Sequence, residues 1–206
     1  MQPAKSNEVK FFFHGTLFEC HESVYYPSED SYFLAENVFP KQKSICIDVG
    51  CGSGIQTLNL LYEKAHEVTA IDLNPIALEA TKKNCEKAGF GKKVKLLQSD
   101  LFENYKGKKA DLIVFNPPYV PSESGEGKKY LDLDGGKKGR ETIDRFLEQF
   151  PMHLKGNGEA IFLQTNINGL AQTKKMLAKK GFEFSVIARR KDFFEELCVC
   201  KSTRKC

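Results

Sequence analysis

Short apolar runs that break off at a polar residue or a glycine alternate along this chain with longer stretches whose apolar positions recur at helical spacing. Four such runs, at 44–50, 67–72, 94–97 and 110–115, read as strands, the first of them buried. Between them, 57–63 and 76–88 read as helices. The second has Asn74 as its cap, Pro75 at its first position and Gly89 as its stop. After residue 140 the alternation resumes with a helix at 141–153, a strand at 159–164 and a helix at 169–179 stopped by Gly181. Strands at 182–188 and 196–201 follow, close enough in sequence to pair antiparallel.

Strand–helix alternation predicts an α/β fold: a Rossmann-like, doubly wound, mostly parallel seven-stranded sheet with an antiparallel C-terminal strand pair. Ligands of such sheets bind at the carboxyl ends of the strands, so the informative residues should follow the strands. The interval 121–139 has no period; its five glycines, serines, acids and lysines read as a long mobile loop on the substrate side, although Tyr130-Leu131 is able to order part of it.

The chain of 206 residues suits an N-terminal segment, 1–24, and a single domain, 25–206. A hydrophobic content of 41% and a charged content of 28% exclude global disorder. Lysine supplies 26 of the 31 basic residues, in short clusters that read as a solvated surface or as a basic face for an acidic partner. The scarcity of arginine, the better phosphate fork, argues against nucleic acid. The seven cysteines are unevenly spaced without Cys-x-x-Cys, and the four histidines form no ligand spacing, so neither a disulfide framework nor a metal site is expected. Free thiols fit a reducing cytoplasmic or nuclear compartment. Phe11-Phe12-Phe13 is far too short to span a membrane, and no signal-peptide apolar region follows it.

Chemistry gathers after the strands. Asp48-Val49-Gly50-Cys51-Gly52-Ser53-Gly54 follows the first one; a glycine loop alone also suits an ordinary strand–helix turn. The second strand ends in Asp72-Leu73, where a carboxylate can take both hydroxyls of a ribose. The third leads to Asp100-Leu101, an acceptor for an adenine amino group beside an apolar side chain for the ring face. A dinucleotide loop would need a glycine where Ile55 stands, and Asp48 suits a cationic ligand better than a pyrophosphate. The combination resembles the S-adenosylmethionine site of class I methyltransferases, with Gly50, Gly52, Gly54, Asp48, Asp72, Leu73, Asp100 and Leu101 as its candidate residues.

The fourth strand ends in Asn116-Pro117-Pro118-Tyr119, the sharpest signal in the chain. Two prolines stiffen the backbone and hold Asn116 extended. The Asn116 side-chain oxygen and a main-chain carbonyl, that of Pro117, can then grip both hydrogens of a planar amide or amine, with Tyr119 against its flat face. These residues are the candidate catalytic set, and Asn116 also borders the cofactor region. A packed Asn-Pro-Pro turn is the bland alternative, weakened by the cofactor-like residues upstream.

Together these motifs resemble the HemK-type protein glutamine N5-methyltransferases, in a match running from about Tyr25 to Lys201. Tyr25-Tyr26-Pro27-Ser28-Glu29-Asp30-Ser31 is similar to that family's Tyr-x-Pro-x-Glu-Asp-Thr segment, whose last residue, here Ser31, touches the methionine end of the cofactor. Asp134 to Arg140 is similar to its Gly-Gly-x-x-Gly-Arg segment. With no helical N-terminal domain, the chain resembles the short eukaryotic and archaeal branch. The resemblance implies S-adenosyl-L-methionine as cofactor and, as substrate, the Gly-Gly-Gln glutamine of a class I translation release factor. It also implies a small zinc-binding activator subunit, for which 94–97 as an exposed edge strand is a hint. Base N-methylation of adenine or guanine uses similar sites but needs a larger recognition region. Lysine methylation stays open, as does a non-catalytic scaffold, although the latter would be expected to lose Asp72, Asp100 or Asn116. Arg140 either contacts substrate or closes the loop, and Glu29 and Asp30 either cap a helix or orient the cofactor.

Overall fold

The computed structural model describes residues 7–121, 135–191 and 195–205. Its strands are β1 (Glu8–Phe13), β2 (Thr16–His21), β3 (Ile45–Val49), β4 (Glu67–Asp72), β5 (Val94–Gln98), β6 (Ala110–Phe115), β7 (Leu154–Thr165), β8 (Phe182–Lys191) and β9 (Glu196–Arg204). Its α-helices are α1 (Glu29–Ala35), α2 (Ile55–Tyr62), α3 (Pro75–Lys87), α4 (Glu141–His153) and α5 (Leu170–Lys179).

Strands β3 to β7 pair in parallel because each apolar run is followed by a helix or crossover that returns the chain to the same edge. Strand β9 inserts antiparallel between β7 and β8, giving the order β5-β4-β3-β6-β7-β9-β8. The seven-stranded, doubly wound sheet with its antiparallel C-terminal pair is therefore as the sequence predicts. The winding reverses between β3 and β6, so the crevice beyond their carboxyl ends is the switch point.

Side-chain alternation builds a core on each face of the sheet. Ile47, Val49, Ile113 and Phe115 face α4 and α5, among Phe146, Phe150 and Leu177. Cys46, Leu112 and Val114 face α1 and α2, among Leu34, Leu58 and Leu61. Cys198 and Cys200 pack in the first of these layers. Asn74 caps α3 by accepting the Ile76 N–H at 2.9 Å, and Gly89 follows the helix with φ +80°.

The N-terminal hairpin is not legible as periodicity. Phe11-Phe12-Phe13 lies on β1, which pairs with β2 across a two-residue turn at His14 (φ 45°) and Gly15 (φ 72°). Phe11 and Phe18 join the second core layer, and Asn84 of α3 takes both the N–H and the C=O of Glu19. Strands β8 and β9 run three residues beyond 188 and 201, and α2 begins at Ile55. Most of the long loop, with Tyr130-Leu131 and Asp134, lies outside the described residues.

Candidate active site

A cavity of about 400 Å³ opens at the switch point, the size of a small-molecule site. The loop after β3 forms its floor. Gly50 has φ +62°, and a Cβ there would stand 3.2 Å from the Phe115 ring. Gly52 (φ +52°) lets the backbone N–H reach Asp72 Oδ2 at 2.9 Å. Asp72 Oδ1 accepts the Asn74 N–H at 2.8 Å, so backbone donors fix this carboxylate at the strand end. Leu73, 64% exposed, follows it on the rim.

Beyond β5, Asp100 and Leu101 also line the cavity. Leu101 is buried yet holds φ +49°, a conformation that costs a branched residue roughly 1–2 kcal/mol and marks a constrained site. Arg145 of α4 binds Asp100 at 2.8 Å and reaches the same cavity. Gln56 of α2 contributes a different feature: its Nε2 donates to Ser31 O at 2.7 Å, and its buried Oε1 has no hydrogen-bond partner among the described residues.

Two candidates stand elsewhere. Strand alternation turns Asp48 toward α2, where it accepts the Thr57 hydroxyl at 2.6 Å with no solvent exposure and off the cavity wall. Burial pushes its carboxyl up to about 7, Thr57 opposes the shift and the charge of Asp72 adds to it. Gly54 also stays off the wall, because it starts α2 at φ +88° with Thr81 where a Cβ would sit. Cys51 lines the cavity, but burial raises its thiol well above the ordinary range, so it remains protonated.

At the end of β6, Asn116, Pro117, Pro118 and Tyr119 all line the cavity. Asn116 Nδ2 donates to Asp30 Oδ2 at 3.1 Å, with Ser31 Oγ 3.4 Å away. Its buried Oδ1 has no partner among the described residues. Tyr119 donates its hydroxyl to Asp30 Oδ2 at 3.3 Å, and burial beside that carboxylate pushes the phenol up, so it stays a donor. Behind the segment, Asn168 Nδ2 bonds Tyr119 O at 2.9 Å, Lys138 O at 3.1 Å and Gly139 O at 3.2 Å. Arg140 is buried and bonds Asn168 O, Gly169 O and Thr173, so it closes the base of the long loop.

Among the described residues the cavity thus carries the carboxylates of Asp30, Asp72 and Asp100 against the single guanidinium of Arg145, itself paired. That balance repels phosphates and suits a cation with hydroxyls and an amino group. The orphaned acceptors of Gln56 and Asn116 suit donor groups on the bound molecules. S-Adenosylmethionine meets these requirements, so the residues present fit it. Among the described residues no cluster of three His, Cys, Asp or Glu side chains is placed to hold a metal ion. Nor is any helix of the described residues long and apolar enough to cross a membrane.

Sheet order, switch-point cavity and strand-end residues define a Rossmann-like methyltransferase. The chain belongs to the methyltransferase small-domain family, whose model matches residues 26–194. It is 36% identical over 193 residues to a Methanocaldococcus jannaschii chain provisionally named a protein N5-glutamine methyltransferase, covering 92% of this chain and 96% of that one. It is 32% identical over 184 residues to the release factor glutamine methyltransferase of Aquifex aeolicus, covering 84% and 65% respectively. Among solved structures it is similar to the E. cuniculi Mtq2–Trm112 complex responsible for methylation of the eRF1 termination factor. There the TM-score is 0.70 and the identity 27%, over 89% of this chain and 99% of that one.

Proposed function

We propose that this chain methylates the side-chain amide nitrogen of a protein glutamine, that of the Gly-Gly-Gln motif of a class I release factor, with S-adenosylmethionine as donor. The observation that carries the reading is Asn116 on the wall of a carboxylate-rich cavity, with a buried acceptor oxygen that has no partner among the described residues. When bound, the cofactor would supply an electrophilic methyl carbon on a sulfonium, open to the nitrogen lone pair while the carbon–sulfur pair stays with sulfur. Asp72 would hold the ribose, Asp100 and Leu101 the adenine, and Ser31 with Gln56 the methionine end. Gly54 serves the same site from beneath, as the left-handed residue where the glycine loop enters α2, and Asp48 accepts from Thr57 of that helix.

An amide nitrogen is a weak nucleophile because its lone pair is delocalised. Asn116 Oδ1 and the Pro117 carbonyl would take its two hydrogens and turn the remaining density toward the methyl carbon. The proton leaves to water after transfer, since neutral Asn116 is no base. Positioning of this kind supplies on the order of 7–11 kcal/mol at best. The eRF1 and release-factor enzymes among the similar proteins support the substrate, and the Mtq2–Trm112 complex supports a small partner of the Trm112 kind, zinc-binding by family resemblance.

The test is transfer of labelled methyl to a class I release factor, its Gly-Gly-Gln glutamine-to-alanine variant and a nucleic-acid pool, with and without the activator subunit. Label is expected on the intact factor alone, and Asn116→Ala should lower it by at least 100-fold. Label on nucleic acid instead would sink the assignment.

A further inference from the structure

Asp30 lies outside the strand ends, on the first turn of α1, and is buried. Its Oδ1 accepts the Ser31 N–H at 2.6 Å, the Ser28 hydroxyl at 2.6 Å and the Tyr25 hydroxyl at 2.9 Å. Its Oδ2 faces Asn116 Nδ2 and the Tyr119 hydroxyl. We infer that Asp30 is the positioning residue that fixes which way the Asn116 amide points, holding its nitrogen to the wall and its oxygen toward the substrate nitrogen. The inference rests on the proposed N-methylation at Asn116.

An asparagine amide is nearly symmetric in shape, and its two orientations differ only in what they bond. An ionised carboxylate accepts and never donates, so beside Asp30 only the nitrogen of Asn116 can face inward. The other orientation would set three oxygens together and present an N–H to a substrate N–H. The Asp30 charge also polarises the Asn116 amide toward its far oxygen, strengthening that acceptor as positive charge develops on the substrate nitrogen.

The experiment compares D30N, D30E and N116A, with the D30N/N116A double variant, in the full chain with its activator bound. In D30N, Oδ1 must still accept the Ser31 N–H, so the new NH₂ faces Asn116 and the favoured response is a flip of that amide. Expected are a fall in kcat of about 100-fold, with KM and cofactor Kd within about 3-fold of wild type, and a double variant no slower than N116A alone. D30E, still an acceptor, should recover part of the loss. D30N with near-normal kcat while N116A is inactive overturns the inference, as do multiplicative losses in the double variant. An N116A enzyme that remains active overturns the reading of the site itself. If D30N does not fold, side-chain amide exchange decides in the wild type, with N116A as assignment control. Slow exchange of the Asn116 NH₂ supports the inference and exchange at the rate of a surface asparagine overturns it.

Discussion

Asp48 sets a fully buried carboxylate under a ligand loop with one oxygen, Oδ1, lacking a partner among the described residues. Its folded value of about 7 stands above that of a free aspartate, close to 3.8. Between those two the folded protein keeps a proton that the unfolded chain has released. The Asp48 contribution is therefore fully present below pH 4 and is lost as pH rises through 7, at about 1.4 kcal/mol per unit in that window. Denaturant unfolding without cofactor, at pH 5 and pH 7.5, should show that loss in the wild type and a flatter response in Asp48→Asn. Equal slopes would mean that Asp48 ionises normally. At this scale the sequence is half-legible. The strand-end placement of Asp72, Asp100 and Asn116 could be read because each ends or follows its own strand. Asp48 was legible as a loop acid but not as a buried one, since one residue of register turns it from the cavity to α2. Asp30, Gln56 and Arg145 meet the site from helices, and the distance from Asp30 to Asn116 along the chain hides a bond that only packing creates.

The strands of the parallel sheet were legible as elements because each holds an apolar run cut off by a polar residue or glycine, and α3 because its cap and stop are local. The hairpin of β1 and β2 was not, because Phe11-Phe12-Phe13 does not alternate; the His14-Gly15 turn was the one local signal available. Nor did the sequence decide the role of Arg140, which depends on the short turn at Asn166–Asn168 after β7. There Asn168 Oδ1 accepts the Thr165 N–H and hydroxyl, while Nδ2 serves the main chain at Tyr119, Lys138 and Gly139. One buried amide therefore ties the end of β7 to the reactive segment and to the base of the long loop. Asn168→Ala should cost about 1–3 kcal/mol, the usual result of stranding buried polar groups. Asn168→Asp, of the same shape, should cost more, because it turns a carboxylate toward three carbonyl oxygens. Urea midpoints for the two variants check the order, and an aspartate variant as stable as the wild type would rule out the clamp.

In the whole molecule the seven-stranded sheet ends in two edge strands, β5 and β8, and they differ in what they offer a partner. Strand β8 alternates on its exposed face through Glu183, Ser185, Ile187, Arg189 and Lys191, a face whose three charged side chains discourage pairing. Strand β5 is short, with Val94, Leu96 and Leu97 half-buried, and its one charged side chain, Lys95, is engaged by Glu67 at 2.7 Å. Beside it Leu73, whose carbonyl accepts from Gln98 at 3.2 Å, and Ile76 of α3 are exposed apolar groups. A Trm112-like subunit that adds a strand to β5 would satisfy that edge and cover Leu73, which also borders the switch-point cavity. Binding of partner and cofactor would then stabilise one another, since both would contact the segment from Asp72 to Asn74. Hydrogen exchange on the chain with and without the activator should show new protection at β5 and the start of α3, with β8 unchanged. Cofactor affinity should rise in the complex by the same factor as activator affinity rises with cofactor bound. Protection at β8 instead would put the partner on the opposite edge, and unequal factors would show that binding at the two sites is not a simple reversible linkage.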